Sequence, residues 1–253
     1  TEHTKEGCII VLSENPTFAL FALGVSGGPV ESRVTGFLLS PLLIQIGRSS
    51  SSPTFISFDP GVLLHGIINL LSHPNIHTHL SESPHFSSIL PLSHKTAPSP
   101  FLTASRIHQS IHAHLISHPH LDHISALAIN SQSDAPLSAT SSNSAPQRKK
   151  LIVGLPETLR ALAHNLFNDV LWPNVISAGL YSLHPVGGVS ANYDDDDDDE
   201  TSRSLEDEED IGVSVEAFEV THGAGVSGGG RVVVSTCFFV GASGGGGGGV
   251  FLM

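Results

Sequence analysis

The sequence predicts an α/β fold, because short strands and helices alternate along the chain. Four β-type runs bounded by Gly, Pro or Ser dominate the first part: Cys8–Leu12, Phe18–Leu23, Val34–Leu39 and Thr54–Asp59. The run Val62–Leu71 that follows is apolar enough for a short buried helix. Strands interleaved with helices favour an α/β arrangement over an all-β sandwich.

Pro156 opens the clearest helix of the second part. One helical face collects the apolar side chains Leu159, Leu162, Ala163, Leu166 and Phe167. Proline suits the first helical position, because the N–H that it lacks would have no partner there. Further strands are predicted at Val213–Val220 and Arg231–Val240, and a strand-like run occupies Val250–Met253.

Three low-complexity segments interrupt this pattern. Residues 131–150 are rich in Ser, residues 187–210 contain an acidic run, and residues 241–249 are nearly all Gly. Such segments cannot bury enough apolar surface to offset the entropy of ordering them. Candidate site residues lie on both sides of them, so we expect insertions within a single domain over residues 1–253.

The net charge of -13 is concentrated in one segment. Residues Asp194–Asp210 hold 12 of the 24 acidic residues and one base, so the rest of the chain carries only -2. The only basic cluster, Arg148–Lys150, is expected at a solvated loop edge. Nucleic-acid binding needs clustered Lys and Arg, so a polynucleotide partner is not expected.

The sequence favours a cytoplasmic protein without a membrane partner. Its apolar runs are too short to cross a bilayer, and no basic-then-apolar leader follows Thr1. The two cysteines, Cys8 and Cys237, lie far apart in strand-like contexts, which predicts buried free thiols in a reducing compartment. The oligomeric state is left open.

The run His118-Pro-His-Leu-Asp-His123 carries the strongest chemical signal. It follows a predicted strand, Ile111–Ser117. Alternate side chains of an extended segment share a face, so His118 and His120 can hold one cation. Asp122 and His123 follow where the chain turns into a helix predicted near Ile124, and can hold a second. Imidazole and carboxylate ligands suit zinc, with manganese or iron as rivals.

Other His-rich and Gly-rich stretches are predicted to be structural. His112 and His114 alternate on the strand before the cluster, and packing or exposure is favoured over ligation. The Gly24–Pro29 turn lacks the Lys-Ser/Thr ending of a phosphate-binding loop, which favours a tight hairpin beside the metal cavity.

The stretch from His118 to Ser131 resembles the motif of class II cyclic-nucleotide phosphodiesterases, the low-affinity fungal type within the metallo-β-lactamase superfamily. The glycine-rich turn Leu23–Pro29 and the stretches Gly154–Thr158 and Leu171–Asn174 are similar to that family's sequences as well. Ala126 stands where the family has Gly or Ser.

The resemblance implies a four-layered αββα sandwich of the metallo-β-lactamase type, with metals at the strand ends. His222 matches the third histidine of the first metal site, after a strand that ends at Val220. Asp59 matches a carboxylate that orients a ligating histidine, although it could instead cap the helix at Val62. Asp122 and His123 are the expected catalytic ligands of the second metal.

The implied activity is metal-dependent hydrolysis of 3′,5′-cyclic nucleotides, cAMP or cGMP, to 5′-nucleoside monophosphates. Two zinc ions are expected, with a bridging Asp and a final His as further ligands. No candidate for either follows Val240, so the fold is expected to be incomplete at its C-terminal end. The alternatives are another hydrolase of this fold, RNA-processing or thioesterase-like, or a catalytically inactive binding fragment.

Overall fold

The described residues form two β-sheets, one of seven strands and one of three. The computed structural model describes residues 9–10, 18–28, 30–41, 55–73, 99–134, 149–186, 213–224, 232–242 and 250–252. The large sheet contains, side by side in chain order, β1 (Ile9–Ile10), β2 (Phe18–Gly24), β3 (Gly36–Pro41), β4 (Phe55–Phe58), β5 (Ile111–Leu115), β6 (Lys150–Gly154) and β7 (Tyr181–Pro185). The small sheet contains β8 (Val213–Ala224), β9 (Val232–Ala242) and β10 (Val250–Leu252), with β9 in the middle.

The described α-helices are α1 (Leu64–Ser72), α2 (Pro100–Gln109), α3 (Leu121–Asn130) and α4 (Pro156–Ala161). Helix α4 continues into a π-helical turn over Leu162–Leu166, and 3₁₀ turns cover Glu31–Arg33 and Ser131–Asp134. None of the described helices is long and apolar enough to cross a membrane.

The strands that carry the candidate site are parallel. Strands β1 to β4 pair antiparallel, whereas β4, β5, β6 and β7 pair in parallel. Phe58, Leu115 and Val153 are neighbours across this parallel region. The residues that directly follow β4 and β5 therefore meet at one edge of the sheet.

The large sheet is covered on both faces. Helices α1 and α2 pack on one face around Phe21, Phe55 and Ile67, and α3 and α4 pack beside them around Ile116 and Ile152. The small sheet packs on the other face, where the rings of Phe58 and Phe238 meet edge to face with centroids 5.7 Å apart. The described residues thus form a helical layer and two sheet layers, and the predicted α/β class is confirmed.

Helix α2 was not predicted, although its start carries a recognisable signal. The Ser99 hydroxyl accepts a hydrogen bond from Leu102 N, and Pro100 occupies the first turn. Thr103, Ala104 and Ile107 are buried on one side of the helix, with polar neighbours between them. This short, partly polar stripe explains why no period is visible in the sequence.

One predicted helix boundary was wrong, and one helix changes type within its predicted apolar face. Helix α3 begins at Leu121, before the predicted start near Ile124, so Asp122 lies inside its first turn. The helix that opens at Pro156 is α-helical only to Ala161, and the Phe167 N–H then donates to Leu162 O across a wider turn. The predicted apolar face still packs inward, because Leu162 and Phe167 are fully buried.

The predicted insertion over 131–150 was wrong at both ends. Ser131 and Asp134 are buried in a 3₁₀ turn, and Lys150 is only 6% exposed in β6, not part of a solvated loop edge. The Lys150 ammonium lies 2.7 Å from Asp134 Oδ1, and the Tyr181 hydroxyl donates to Asp134 Oδ2 at 2.6 Å. This polar cluster lies where β6 and β7 begin, at the sheet edge opposite the candidate site.

His108 belongs to the same cluster, because its Nδ1 lies 3.4 Å from Asp134 Oδ1. Burial perturbs the ionisable groups of this cluster. Burial, reinforced by the charge of Lys150, lowers the pKa of His108 to about 4, even though Asp134 opposes the shift. Burial also lowers the pKa of Lys150 against the attraction of Asp134. The pKa of Tyr181 is raised well above its ordinary value by burial and by the nearby Asp134.

Two sequence predictions on buried polar residues are confirmed by the structure. His114 is fully buried, with its Nδ1 2.6 Å from the Ser57 hydroxyl, and His112 is buried beside it on the same strand. Cys237 is buried with a free thiol, as predicted. Cys8 lies outside the described residues.

Candidate metal centre

Asp59 anchors the candidate site at the end of β4. Its backbone has a positive φ of 44°, and its N–H donates to Leu115 O at the end of β5. This left-handed conformation is one that Asp tolerates better than most residues. The turn directs the carboxylate across the sheet edge, so that it lies against the segment that follows β5.

Three donors converge on the Asp59 carboxylate, which is 1% exposed. Oδ1 accepts from the Ser117 backbone N–H at 2.7 Å. Oδ2 accepts from the Ser117 hydroxyl at 2.6 Å and contacts His123 Nδ1 at 2.8 Å. Donors on every side suit an ionised carboxylate, which can only accept. The alternative role for Asp59 is wrong, because α1 begins at Leu64, whose N–H donates to Asn130 Oδ1 and not to Asp59.

The imidazoles of the His-rich run form a close group. The ring centroids of His118 and His120 are 4.5 Å apart, and those of His118 and His123 are 4.1 Å apart. His118 is buried, His123 is half-buried, and His120 is exposed. The group therefore lies at a surface that a small solute can reach.

Asp122 and His123 are spaced as two ligands of one ion would be. Asp122 Oδ2 lies 3.5 Å from His123 Nε2. A tetrahedral zinc ion with bonds of about 2.0–2.1 Å separates any two ligand atoms by about 3.4 Å. Because His123 Nδ1 contacts Asp59, its Nε2 is the nitrogen directed toward Asp122. These two donor atoms therefore have the spacing expected of two ligands of one cation.

Two carboxylates make the surroundings of His123 favourable to positive charge. Burial by itself lowers the pKa of His123, but the hydrogen bond and charge of Asp59, together with Asp122, outweigh burial and raise it. A bound cation would compete with the proton for Nε2, because a ligating imidazole must be neutral.

The loop after β4 contacts the first two turns of α3. Gly61 O accepts from the Ala126 N–H and from the Ser125 hydroxyl, and Pro60 O accepts from Leu127 N. A Cβ added to Gly61 would overlap the carbonyl oxygen of Asp122. Close backbone contact, which only glycine permits, thus fixes the position of Asp122 relative to Asp59.

The glycine-rich turn lies beside the site. A Cβ added to Gly28 would lie 3.9 Å from Asp122 Oδ2, and Gly27 has a positive φ of 63°. The Ser26 N–H donates to Arg33 O at 2.9 Å, which closes the turn. The predicted location beside the cavity agrees with these contacts, whereas Pro29 lies outside the described residues.

His222 lies in β8, which does not end at Val220 as predicted but continues to Ala224. Its pairing with β9 is irregular between Thr221 and Ala224. Val220 pairs with Ser235, whose hydroxyl is 3.5 Å from His118 Nδ1, so this part of β8 runs beside the site. The His222 side chain lies outside the described residues, and its role as a ligand stays a prediction.

Within the part of the chain that the structure describes, no three His, Cys, Asp or Glu side chains are already arranged as a metal-binding group. The structure brings Asp59, Asp122 and His123 together, and His118 and His120 lie beside them. Sequence reasoning missed Ser117, which contacts both Asp59 and His118. The sequence offered one indication of this role, because Ser117 lies between a strand and the first predicted ligand.

The sheet order, the helical layer and the His/Asp group at the strand ends define a metallo-β-lactamase-type domain. The crystal structure of unliganded yeast PDE1 has the same fold, with a TM-score of 0.60 and 22% identity over 89% of this chain and 62% of that chain. The sequence profile described as cAMP phosphodiesterases class-II matches residues 24–244. The chain belongs to this family.

Curated relatives agree with that assignment. A 3′,5′-cyclic-nucleotide phosphodiesterase of Schizosaccharomyces pombe is 32% identical over 70% of this chain and 45% of its own length. A probable 3′,5′-cyclic-nucleotide phosphodiesterase of Yersinia pestis is 31% identical over 69% of this chain and 43% of its own length. The chain thus spans less than half the length of these two relatives.

Proposed function

We propose that the chain acts in the metal-dependent hydrolysis of 3′,5′-cyclic nucleotides, cAMP or cGMP, to 5′-nucleoside monophosphates. The observation that carries this proposal is the Asp59–His123–Asp122 arrangement at the strand ends, within a chain of the class-II family. Family membership supports the substrate class, because the relatives are named as cyclic-nucleotide phosphodiesterases.

His118, His120 and His222 are the proposed ligands of one cation, and Asp122 and His123 are those of a second. Zinc is the proposed metal, because imidazole and carboxylate donors suit it, and manganese or iron(II) could use the same donors. When bound, such ions lower the pKa of water from 15.7 to about 7 and offset negative charge on a phosphate.

The protein's own contribution is to hold these donors in position. Asp59 orients the His123 ring through Nδ1, which leaves Nε2 as its ligating atom. The Asp122 carboxylate lies 3.5 Å from that nitrogen, and the Asp122 backbone is held close to Gly61. The phosphate diester is expected at the exposed His120 side of the site, where solvent reaches the group.

We also propose that the partner is a small cyclic nucleotide and that the protein acts in the cytoplasm. The body outside the acidic run has almost no net charge, which offers little attraction to a polynucleotide backbone. The buried free thiol of Cys237 is typical of proteins in a reducing compartment.

The test uses the longest translated form of the protein, loaded with zinc, and measures metal content and cAMP turnover. The double variant His120→Ala/Asp122→Ala is compared with His65→Ala/Glu157→Ala, which removes one imidazole and one carboxylate from exposed positions on other helices. We expect the first variant to lose zinc and turnover and the second to keep both. Turnover that survives the first variant would contradict the proposal, and so would cAMP binding without cleavage by the zinc-loaded protein.

A further inference from the structure

Ser117 links the carboxylate at the end of β4 to the first imidazole of the His-rich run. Its side chain is buried, and its hydroxyl oxygen lies 2.6 Å from Asp59 Oδ2 and 2.9 Å from His118 Nδ1. Both distances are those of good hydrogen bonds. The Ser117 backbone N–H also donates to Asp59 Oδ1, so the residue is held at two points.

The number of available hydrogens decides the direction of these bonds. A hydroxyl has one hydrogen to donate, and an ionised carboxylate can only accept. The Ser117 hydrogen therefore goes to Asp59, and its lone pair must accept from His118. It follows that His118 carries its hydrogen on Nδ1, which leaves Nε2 with the lone pair that a cation needs.

The same carboxylate oxygen contacts a second imidazole directly. Asp59 Oδ2 lies 2.8 Å from His123 Nδ1, so His123 is held in the same tautomer as His118. The two rings lie 4.1 Å apart between centroids and belong to the two different proposed cation sites. One buried carboxylate thus faces both rings, once directly and once through a hydroxyl.

We propose that Ser117 is a positioning residue in a hydrogen-bond relay. Its hydroxyl donates to Asp59 and accepts from His118, so that a single carboxylate sets the ligating tautomer in both cation sites. The metal-related part of this inference rests on the proposed function, whereas the tautomer part rests on the contacts alone. A hydroxyl between carboxylate and imidazole extends the usual direct contact behind a ligating histidine by one residue.

Ser235 offers an internal comparison, because its hydroxyl approaches the same His118 Nδ1 from β9. The separation there is 3.5 Å, which is longer than a good hydrogen bond. Ser235 is therefore a weak second contact, and its removal should leave the tautomer of His118 unchanged. The backbone of the segment is fixed separately, because Thr236 N donates to Ser117 O.

The first experiment measures tautomers in the metal-free chain by long-range ¹H–¹⁵N correlation spectra of ¹⁵N-histidine-labelled protein. We expect His118 to carry its hydrogen on Nδ1 in the unmodified chain and in Ser235→Ala, and to populate both tautomers in Ser117→Ala. A hydrogen on Nε2 of His118 in the unmodified chain would overturn the proposal whether or not any variant folds. Ser117→Thr, which keeps the hydroxyl, should restore the single tautomer.

The second experiment measures zinc affinity for the same variants, with Ser131→Ala as the matched control. Ser131 is a buried serine whose hydroxyl donates to Ala128 O and accepts from Trp172 Nε1, and these bonds contact none of the imidazoles. We expect Ser117→Ala to weaken zinc binding roughly 10–100-fold and the control to leave it unchanged. Equal affinity in Ser117→Ala would refute the relay, whereas no zinc binding by the unmodified chain would refute the proposed function and leave the tautomer result to decide the relay.

Discussion

The substitution Gly61→Ala should displace the first turn of α3 and weaken the candidate metal site. An added Cβ would lie 2.6 Å from the Asp122 carbonyl carbon on one side and 2.7 Å from Thr35 O on the other. Ordinary contacts of a Cβ begin near 3.4 Å. Both neighbours are backbone atoms, so no side chain can rotate away, and the helix must move by about 0.8 Å or more.

This displacement should lower the free energy of unfolding, the zinc affinity and the turnover. Overpacking of this kind lowers the free energy of unfolding by about 1–3 kcal/mol. Because Asp122 and His123 move with the turn while Asp59 stays, zinc affinity should fall roughly 10-fold or more, and a misplacement near 1 Å can cost about 100-fold in turnover. Urea denaturation measures the first effect, and competition with a zinc chelator measures the second.

Gly28→Ala is the matched control for Gly61→Ala. Its added Cβ would lie 3.9 Å from the carboxylate of the same Asp122, which is an ordinary contact distance. We expect its free energy of unfolding to stay within about 0.5 kcal/mol of that of the unmodified chain. Its zinc affinity should stay within roughly two- to threefold. If Gly61→Ala behaved like this control, the claim that the loop after β4 positions Asp122 would be refuted.

Three further perturbations have defined outcomes. Asp59→Ala should lower the free energy of unfolding by about 3–5 kcal/mol in urea denaturation, because it leaves buried donors without an acceptor. Asp59→Asn should lower it less, and an equal loss in the two variants would contradict the claim that Asp59 stabilises the fold as an acceptor for these donors. The pKa of His108 is about 4 when folded and 6.5 ordinarily, so its contribution to stability is complete above pH 6.5 and is lost as the pH falls toward 4. That loss is roughly 3 kcal/mol, and urea midpoints that stay constant between pH 6.5 and 4 would rule it out. Lys150→Met should lower the free energy of unfolding by about 3–5 kcal/mol, because Asp134 stays buried without its cation; a loss below 1 kcal/mol would mean that the pair behaves as if solvent-exposed.

The sequence revealed the site because its donors are contiguous. His118, His120, Asp122 and His123 lie within six residues after a strand, so local spacing alone brings them together. Asp59 was found through the resemblance, since its partner His123 is 64 residues away. Its hydrogen-bonding atoms could not be predicted, because they depend on the unusual φ of the turn.

The polar cluster at the opposite sheet edge could not be predicted from local patterns. Asp134 and Lys150 lie at the two ends of a Ser-rich segment, and the composition of that segment predicts that both are exposed to solvent. They meet because β6 and β7 begin beside the end of α3, and this packing is a property of the tertiary fold. A buried Lys is uncommon in general and is tolerated here because Asp134 and a backbone carbonyl accept its hydrogens.

Helix boundaries near the site depend on contacts between elements distant in sequence. The start of α3 lies against Gly61, so close to the Asp122 backbone that no Cβ would fit, and its second turn donates to the same loop through Ala126 N and Leu127 N. Nothing in the local sequence distinguishes Leu121 from Ile124 as the first residue. Tertiary contacts therefore decided the helical placement of Asp122 and His123.

The most direct test of the central claim is the zinc X-ray absorption spectrum of the zinc-loaded chain. The account predicts nitrogen and oxygen neighbours at about 2.0–2.1 Å, with the multiple-scattering signal of at least two imidazoles, and the loss of that signal in His120→Ala/His123→Ala. A spectrum with sulfur neighbours, or one that the double substitution leaves unchanged, would show that the His-rich run does not bind the metal.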